Sequence, residues 1–381
     1  MQFIPKRILH ISETPLGGVT SCLQELVQGQ VALDIESVEV VMPEINLPEF
    51  AAIRSDKLRM TPFMHQRGSA IGLARLARLT IERARATRPE IIHAHSTLAG
   101  AVVRLCRPFL PRETRIVYCP HGWAFSREDS ALKNRAIGLL ERMLSPLSDR
   151  ILCVSSCEQS NAVAMGILER RTVVIENGVS SPTRDHASVP RPEGKRKVVA
   201  FVGRFDRQKG FHTYVEVMRQ LGDNVRGIAI GRPILADADV ALSDPPANIE
   251  FLGWQPRERV LELCEGADVL LMPSRWEGFP LVALEAMQAG TAVWASRVGG
   301  LTDIVVDHET GRLFDLDDVE AIVAGLRDSG REELWAQGAR GHARYLERYT
   351  AQLMNTRVMA LYRDLTLHSK LGGTWTKARP A

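Results

Sequence analysis

The strongest constraint in this sequence is a rhythm. Short apolar segments with strand character alternate with longer segments of helical periodicity, and the series runs twice. In the first half, strands are expected at 7–11 (RILHI), 38–42 (VEVVM), 90–94 (EIIHA), 115–119 (RIVYC), 150–154 (RILCV) and 172–175 (TVVI), with helices at 18–29, 69–87, 97–107, 130–145 and 156–165. A stretch rich in Pro, Ser and charge, 180–197 (SSPTRDHASVPRPEGKRK), lacks hydrophobic periodicity and reads as a linker. The alternation then restarts, with strands expected at 198–202, 226–230, 249–252, 268–272 and 291–295 and helices near 210–221, 256–265, 280–289 and 317–327. Such alternation is the mark of a parallel α/β fold. The expected architecture is two doubly wound, Rossmann-like domains, 1–182 and 197–345, joined by a linker at 183–196. A helical tail, 346–381, is expected to pack back on the first domain. Open α/β sheets bind ligands at the carboxyl ends of their strands, so two such edges facing across a cleft suit a two-substrate reaction.

Composition removes several classes. With 381 residues, 45% hydrophobic and 24% charged, the chain has material for two cores, which rules out disorder and small disulfide-stapled folds. No apolar run reaches the roughly 18–20 residues of a spanning helix. The start, MQFIPKRILHIS, holds too short an apolar run for a secretory signal, so a cytoplasmic protein is expected. The six cysteines (22, 106, 119, 153, 157, 264) form no CxxC pair and no ligand spacing, and read as reduced thiols. Net charge is +3, yet residues 54–115 hold 13 Lys/Arg against four Asp/Glu. Within that region 69–88 reads as a helix with Arg75, Arg78 and Arg85 on one side and Leu73, Leu76, Ala77 and Ala84 roughly opposite. One reading is a solvated arginine face. The other is attraction to an anionic acceptor or an anionic membrane surface, which would set the protein on the inner face of the cell membrane. Few aromatics are interleaved, so nucleic acid is not an expected partner.

Chemistry concentrates after the linker. FVGRFDRQKG (201–210) follows an apolar strand directly. Gly203 permits a tight turn, Arg204 and Lys209 bring two positive charges, and Gly210 lets the next helix start close by. That combination suits a pyrophosphate, although it is not a Walker loop. In 273–305, Glu277 and Glu285 are eight apart, and Gly278 and Pro280 between them make one continuous helix unfavourable. Glu277 then sits in a loop, Pro280 in the first helical turn and Glu285 on the second. The N–H groups of Leu281 and Val282 point out of that helix start, where anions are favoured. Amides suit a phosphate, and carboxylates suit the paired hydroxyls of a sugar.

Arg204 and Lys209, followed by Glu277 and Glu285 in the context EGFPLVALEAMQAG, resemble the retaining glycosyltransferases of family 4, which have the GT-B fold. Further matches lie in order: Gly17-Gly18 after the first strand, HAHS at 93–96, HG at 121–122, VSS at 154–156, ENGV at 176–179, PSRWEGFP at 273–280 and TG at 310–311. The resemblance covers residues 7–330 and is of the bacterial surface-polysaccharide type.

The resemblance implies a division of labour. Arg204 and Lys209 contact the donor diphosphate, Glu277 the donor sugar hydroxyls and Glu285 the nucleotide ribose. The backbone of Gly278, Phe279, Pro280, Leu281 and Val282 lines the donor, and Gly17 and Gly18 let the first loop approach the phosphates without a Cβ clash. His121 matches the histidine that contacts the transferred sugar, where it could donate a hydrogen bond, and His95 is an acceptor-side candidate beside His93. The implied reaction transfers a sugar from a UDP- or GDP-sugar to a glycan or lipid-linked oligosaccharide, with retention and without a cofactor. Cationic groups would stabilise the leaving diphosphate, and same-face attack would be assisted by the leaving phosphate. Asp237-Ala238-Asp239 spells DxD but follows no strand directly, and no metal is expected. The FDLDD run at 314–318 reads as a helix cap. Rival readings are a GT-B sugar-nucleotide epimerase or hydrolase, and a non-catalytic glycan-binding subunit.

Overall fold

The computed structural model describes residues 4–15, 17–64, 69–181, 196–233 and 244–370. Nearly all of the expected linker, and the DxD tripeptide, lie outside the described residues. The chain divides into two compact units, one holding 1–177 and 351–381, the other 178–350.

The first unit is a seven-stranded parallel sheet of β1 (Arg7–Ser12), β2 (Ser37–Pro43), β3 (Leu58–Phe63), β4 (Ile91–His95), β5 (Arg115–Cys119), β6 (Arg150–Cys153) and β7 (Thr172–Val174), in the order β3-β2-β1-β4-β5-β6-β7. The connecting helices are α1 (Gly18–Val31), α2 (Ala70–Thr87), α3 (Thr97–Leu105), α4 (Ala131–Leu144) and α5 (Ser156–Ala164). All of β4 and all of β6 are buried, because parallel strands with helices on both faces meet no water. Ser69, Ser130 and Ser155 start three of the helices by accepting from the N–H of Gly72, Lys133 and Glu158. Arg104 of α3 and Glu141 of α4 form a buried pair at 2.8 Å, and the Tyr118 hydroxyl donates to the same carboxylate.

The second unit repeats the pattern with six strands: β8 (Lys197–Val202), β9 (Val225–Ile230), β10 (Ile249–Gly253), β11 (Val269–Met272), β12 (Ala292–Ser296) and β13 (Gly311–Phe314), ordered β10-β9-β8-β11-β12-β13. Its helices are α6 (Phe211–Leu221), α7 (Arg257–Glu265), α8 (Leu281–Gln288), α9 (Leu301–Ile304), α10 (Val319–Asp328) and α11 (Arg331–Arg348). Helix α6 buries Phe211, Tyr214, Val215, Met218 and Leu221, the stripe of an amphipathic helix, against Phe201 and Phe205. Asp318 caps α10 by accepting from the Ala321 N–H at 3.0 Å.

The final helix, α12 (Ala351–Lys370), belongs to the first unit. Asn355 donates to the Glu25 carbonyl at 3.0 Å, and a Cβ at Gly29 would come 2.3 Å from the Asn355 side chain, so that glycine allows α1 and α12 to touch. Two strands are absent from the sequence-based expectation, β3 and β13. Both lie at a sheet edge, and β3 (LRMTPF) is half-exposed and contains Pro62, so neither carries the apolar run of a central strand. Among the described residues no helix is long and apolar enough to cross a membrane. All six cysteines are free thiols.

Candidate active site

In a parallel sheet the loops at the carboxyl ends of the strands gather functional groups. In the second unit the loop leaving β8 turns at Gly203, whose N–H donates to the Ile230 carbonyl at 2.9 Å. Gly231 has φ +143°, and a Cβ there would come 1.8 Å from the Gly203 carbonyl, so the two loops cross backbone on backbone. Arg204 Nε lies 2.9 Å from the Asp206 carboxylate, and its Nη2 donates to Gln208 Oε1 at 2.5 Å. Gly210 is left-handed and starts α6 against Pro273, whose carbonyl a Cβ would meet at 1.8 Å. That contact brings the β8 loop against the β11 loop, where Lys209 Nζ reaches Glu277 Oε1 at 2.6 Å. Both side chains are largely enclosed, 19% and 7% exposed, so removing either would strand the other's charge. Gln208 reinforces the junction by donating to the Trp276 carbonyl at 3.3 Å and accepting from the Arg275 N–H at 2.8 Å.

The β12 loop supports Glu277 from below. Gly299 is left-handed, and a Cβ there would meet the Glu277 carbonyl at 2.0 Å. The Gly300 N–H donates to the Gly278 carbonyl at 3.0 Å. Phe279 is buried and meets the Tyr349 ring edge-on at 5.7 Å. Helix α8 then begins after Pro280 with no side chain capping its start. Glu285 accepts from Arg257 Nε at 2.9 Å. Arg257 lies 28 residues earlier, on α7, and nothing in its local sequence marks it. Arg204, Lys209, Glu277 and Glu285 thus belong to adjoining loops and helix starts, two cations held by carboxylates beside an open helix N-terminus. Such a group can release its cations to a diphosphate and its carboxylates to hydroxyls.

The first unit carries different chemistry at the same edge. Gly17 and Gly18 open α1, both exposed, with nothing within 4 Å of an added Cβ at either. Only Gly17, at φ +146°, needs glycine for its backbone. β1 and β4 run parallel with His10 opposite His93 and Ser12 opposite His95. The two-residue period of a strand puts His93 and His95 on one face. Their neighbours complete a cluster: His10 Nδ1 lies 2.9 Å from His95 Nε2, His95 Nδ1 lies 2.9 Å from His121 Nε2, and His10 Nε2 lies 2.8 Å from Gln30 Oε1. His93 Nδ1 meets the Tyr362 hydroxyl of α12 at 2.6 Å.

Burial lowers all four rings. His10 and His121 fall to about 4, while His93 and His95 lie well below their ordinary value, through burial first and then the neighbouring rings, His10 and His121 for both and His93 also for His95. They are neutral at pH 7. His95 is fully enclosed, with its ring nitrogens against His10 and His121; of the four rings His121, half-buried, lies nearest solvent. His121 holds a left-handed backbone (φ +52°), and the next N–H, of Gly122, donates to Glu158 at 2.5 Å. Burial raises Glu158 to about 7 despite the opposing N–H bonds from Val154 and Gly122. Sequence reasoning missed His10, Gln30, Glu158 and Tyr362. His10 alone had a visible signal, a polar residue in the middle of an apolar strand.

Comparisons with known proteins give the family and the fold. A model described as "Glycosyl transferase 4-like domain" matches residues 17–178, and one described as "Glycosyl transferases group 1" matches 183–335. The chain belongs to the glycosyltransferases of the GT-B fold. It is 29% identical to an uncharacterized 41.2 kDa protein in the cps region of Klebsiella pneumoniae, over 86% of this chain and 91% of that one. Among solved structures it is similar to the Anabaena protein HepE in complex with UDP-glucose (TM-score 0.75, 18% identity, 94% and 99% of the two chains). It is also similar to sucrose-phosphate synthase from Thermosynechococcus elongatus (TM-score 0.80, 20% identity, 95% and 99%). At such identities the structural likeness speaks for the fold of this glycosyltransferase, and the site residues speak for its chemistry.

Proposed function

We propose that this glycosyltransferase moves a hexosyl group, with retention, from a nucleoside-diphosphate sugar to a glycan or lipid-linked oligosaccharide during polysaccharide synthesis. The observation that carries the reading is the contact of Lys209 with Glu277 beside Arg204 and the uncapped start of α8. Breaking a sugar–phosphate bond leaves negative charge on the diphosphate and positive charge on the anomeric carbon. Arg204, Lys209 and the α8 amides meet the first, and they are fixed in place before the reaction begins. Glu277 holds sugar hydroxyls, Glu285 the ribose, and Gly17 and Gly18 leave room for the phosphates. The leaving phosphate takes the acceptor proton, so the reaction needs no metal. HepE, solved with UDP-glucose, makes UDP-glucose the first donor to try, and the cps-region relative points to surface polysaccharide. The test is turnover of a UDP- and GDP-sugar panel with membrane-lipid acceptors in the presence of EDTA. Hydrolysis or epimerisation of the donor without acceptor, or a trapped glycosyl–protein adduct, would overturn the reading.

An anionic membrane surface is the partner we propose for the first unit. Arg75, Arg78 and Arg85 of α2 are exposed. On α4 the exposed residues Leu132, Leu139, Leu140 and Met143 form one stripe with Arg135 and Arg142 on its flank. Helix α3 packs against both α2 and α4. A basic-flanked apolar stripe suits lipid headgroups over acyl chains, whereas pairing with a second copy would bring arginine against arginine. Vesicles containing phosphatidylglycerol should sediment the protein, and Leu139→Asp with Met143→Asp should abolish this more completely than reversing the three α2 arginines. Loss of a dimer on light scattering, with sedimentation unchanged, would assign the stripe to self-association instead.

A further inference from the structure

The histidines of the first unit form a chain with a direction. A neutral imidazole has one N–H and one lone pair, so each ring that donates at one nitrogen must accept at the other. Gln30 Oε1 can only accept, which makes His10 Nε2 a donor and His10 Nδ1 an acceptor. His95 must then donate from Nε2 to His10 and accept at Nδ1. His121 in turn must donate from Nε2 to His95. Its remaining nitrogen, Nδ1, carries a lone pair and no proton.

The direction is set by the Gln30 amide, whose Oε1 faces His10 Nε2 at 2.8 Å. The Tyr362 hydroxyl meets His93 Nδ1 at 2.6 Å.

We propose that Gln30, His10 and His95 are positioning residues that fix His121 as its Nε2–H tautomer, so that Nδ1 accepts a hydrogen bond from a hydroxyl of the transferred sugar. This rests on the reading of His121 as the ring that meets that sugar, and it reverses the donor role expected from sequence. It also narrows the donor class. The group facing His121 must offer a proton, so a neutral hexose with a free hydroxyl fits, and a uronate carboxylate at that position does not.

The buried state of the rings supports the neutral forms that the chain requires. The nitrogens of His10, His93 and His95 also lie within 4.8 Å of one another, a spacing that a metal ion could span. Such an ion would have to break the His10–His95 bond. The two arrangements are therefore exclusive.

The test needs no substrate, which separates it from the assay of glycosyl transfer. In histidine-labelled wild-type protein at pH 7, two-bond nitrogen–proton correlation should give a pyrrole-type Nε2 and a pyridine-type Nδ1 for His10, His95 and His121. Gln30→Leu should convert His121 to a tautomer mixture, and Gln30→Glu, which keeps the terminal acceptor, should restore the single form. Thermal melting checks that both variants are folded; the wild-type spectrum decides the matter if they are not. A pyrrole-type Nδ1 on His121 would overturn the proposal, as would an unchanged His121 in folded Gln30→Leu. A stoichiometric metal in the purified chain, with the His10 and His95 signals shifting on chelation, would also overturn it.

Discussion

The two units share a strand order and differ in what they bring to the same edge of the sheet. Both run third-second-first-fourth-fifth-sixth from one side, with a further strand, β7, in the first unit. The first unit gathers neutral imidazoles, almost wholly buried and bonded ring to ring. The second gathers full charges, partly exposed and paired: Arg204 with Asp206, Lys209 with Glu277, Arg257 with Glu285. The reason is the cost of burial. An imidazole escapes it by losing its proton, whereas a guanidinium or a carboxylate must keep a partner or water. One fold therefore serves two tasks, a charged edge that can grip a diphosphate and a neutral edge that can meet hydroxyls.

If the charged edge does the electrostatic work, its removal should have the largest effect. Lys209→Ala, Glu277→Ala and Arg204→Ala should each lower kcat by about 10²–10³, the range for losing one preorganised group at a developing charge. Circular dichroism should remain native. Near-normal turnover in any two of them would break the contrast between the edges, because the charges would then be structural.

Acid should separate the units next. His10 and His121 protonate near 4 in the folded chain and near 6.5 when unfolded. Between those values the unfolded chain binds more protons, so this stability is complete above pH 6.5 and is lost as pH falls toward 4. For His10 alone the loss is about 3 kcal/mol at pH 4. Glu158 acts in the opposite sense: its folded value near 7 lies above the ordinary 4.5, so it adds stability as pH falls through that window. It offsets one histidine of the four. Urea unfolding at pH 7.5 and 4.5, followed at Trp123 in the first unit and Trp294 in the second by single-tryptophan variants, should show the Trp123 midpoint falling further. Equal shifts would mean that the histidine cluster is wetter than its packing implies.

The legible part of this chain was what lies along it. Apolar runs gave the central strands, since a strand covered on both faces has nowhere to hide polarity. The half-exposed edge strands β3 and β13 carried no such run. Arg204, Lys209, Glu277 and Glu285 were visible because each stands in a local loop-to-helix pattern. Arg257, Gln30 and Tyr362 were not, since each reaches its partner only through the tertiary fold. Likewise, the enclosure of His95 follows from β1 and α12 closing over β4, which no pattern in HAHS foretells.

Glycines sharpen the comparison at lower cost. Gly299→Ala puts a Cβ 2.0 Å from the Glu277 carbonyl at a left-handed φ. It should destabilise the second unit by roughly 1–3 kcal/mol and reduce activity by moving Glu277. Gly18→Ala meets nothing within 4 Å and has no positive φ. Its thermal midpoint should stay within a degree or so of wild type, so any loss of donor binding would report the approach of a ligand to the first loop.

The smallest effect is expected at Arg257. It is 35% exposed and its partner Glu285 is 13% exposed, a half-solvated pair worth roughly 1 kcal/mol or less. Its service is orientation: Nε holds Oε1 of Glu285, which steadies the carboxylate that we assign to the nucleotide ribose. The ribose is remote from the reacting bond and is bound alike before and during transfer, so its contacts change KM and leave kcat alone. Arg257→Ala should therefore raise the donor KM about three- to fivefold at constant kcat, as expected for a change near 1 kcal/mol. Arg257→Lys should recover part of it, with one donor direction in place of a planar fork. A fall in kcat instead would put Arg257 among the groups that meet the leaving diphosphate, and the charged edge would then extend from β8 across to α7.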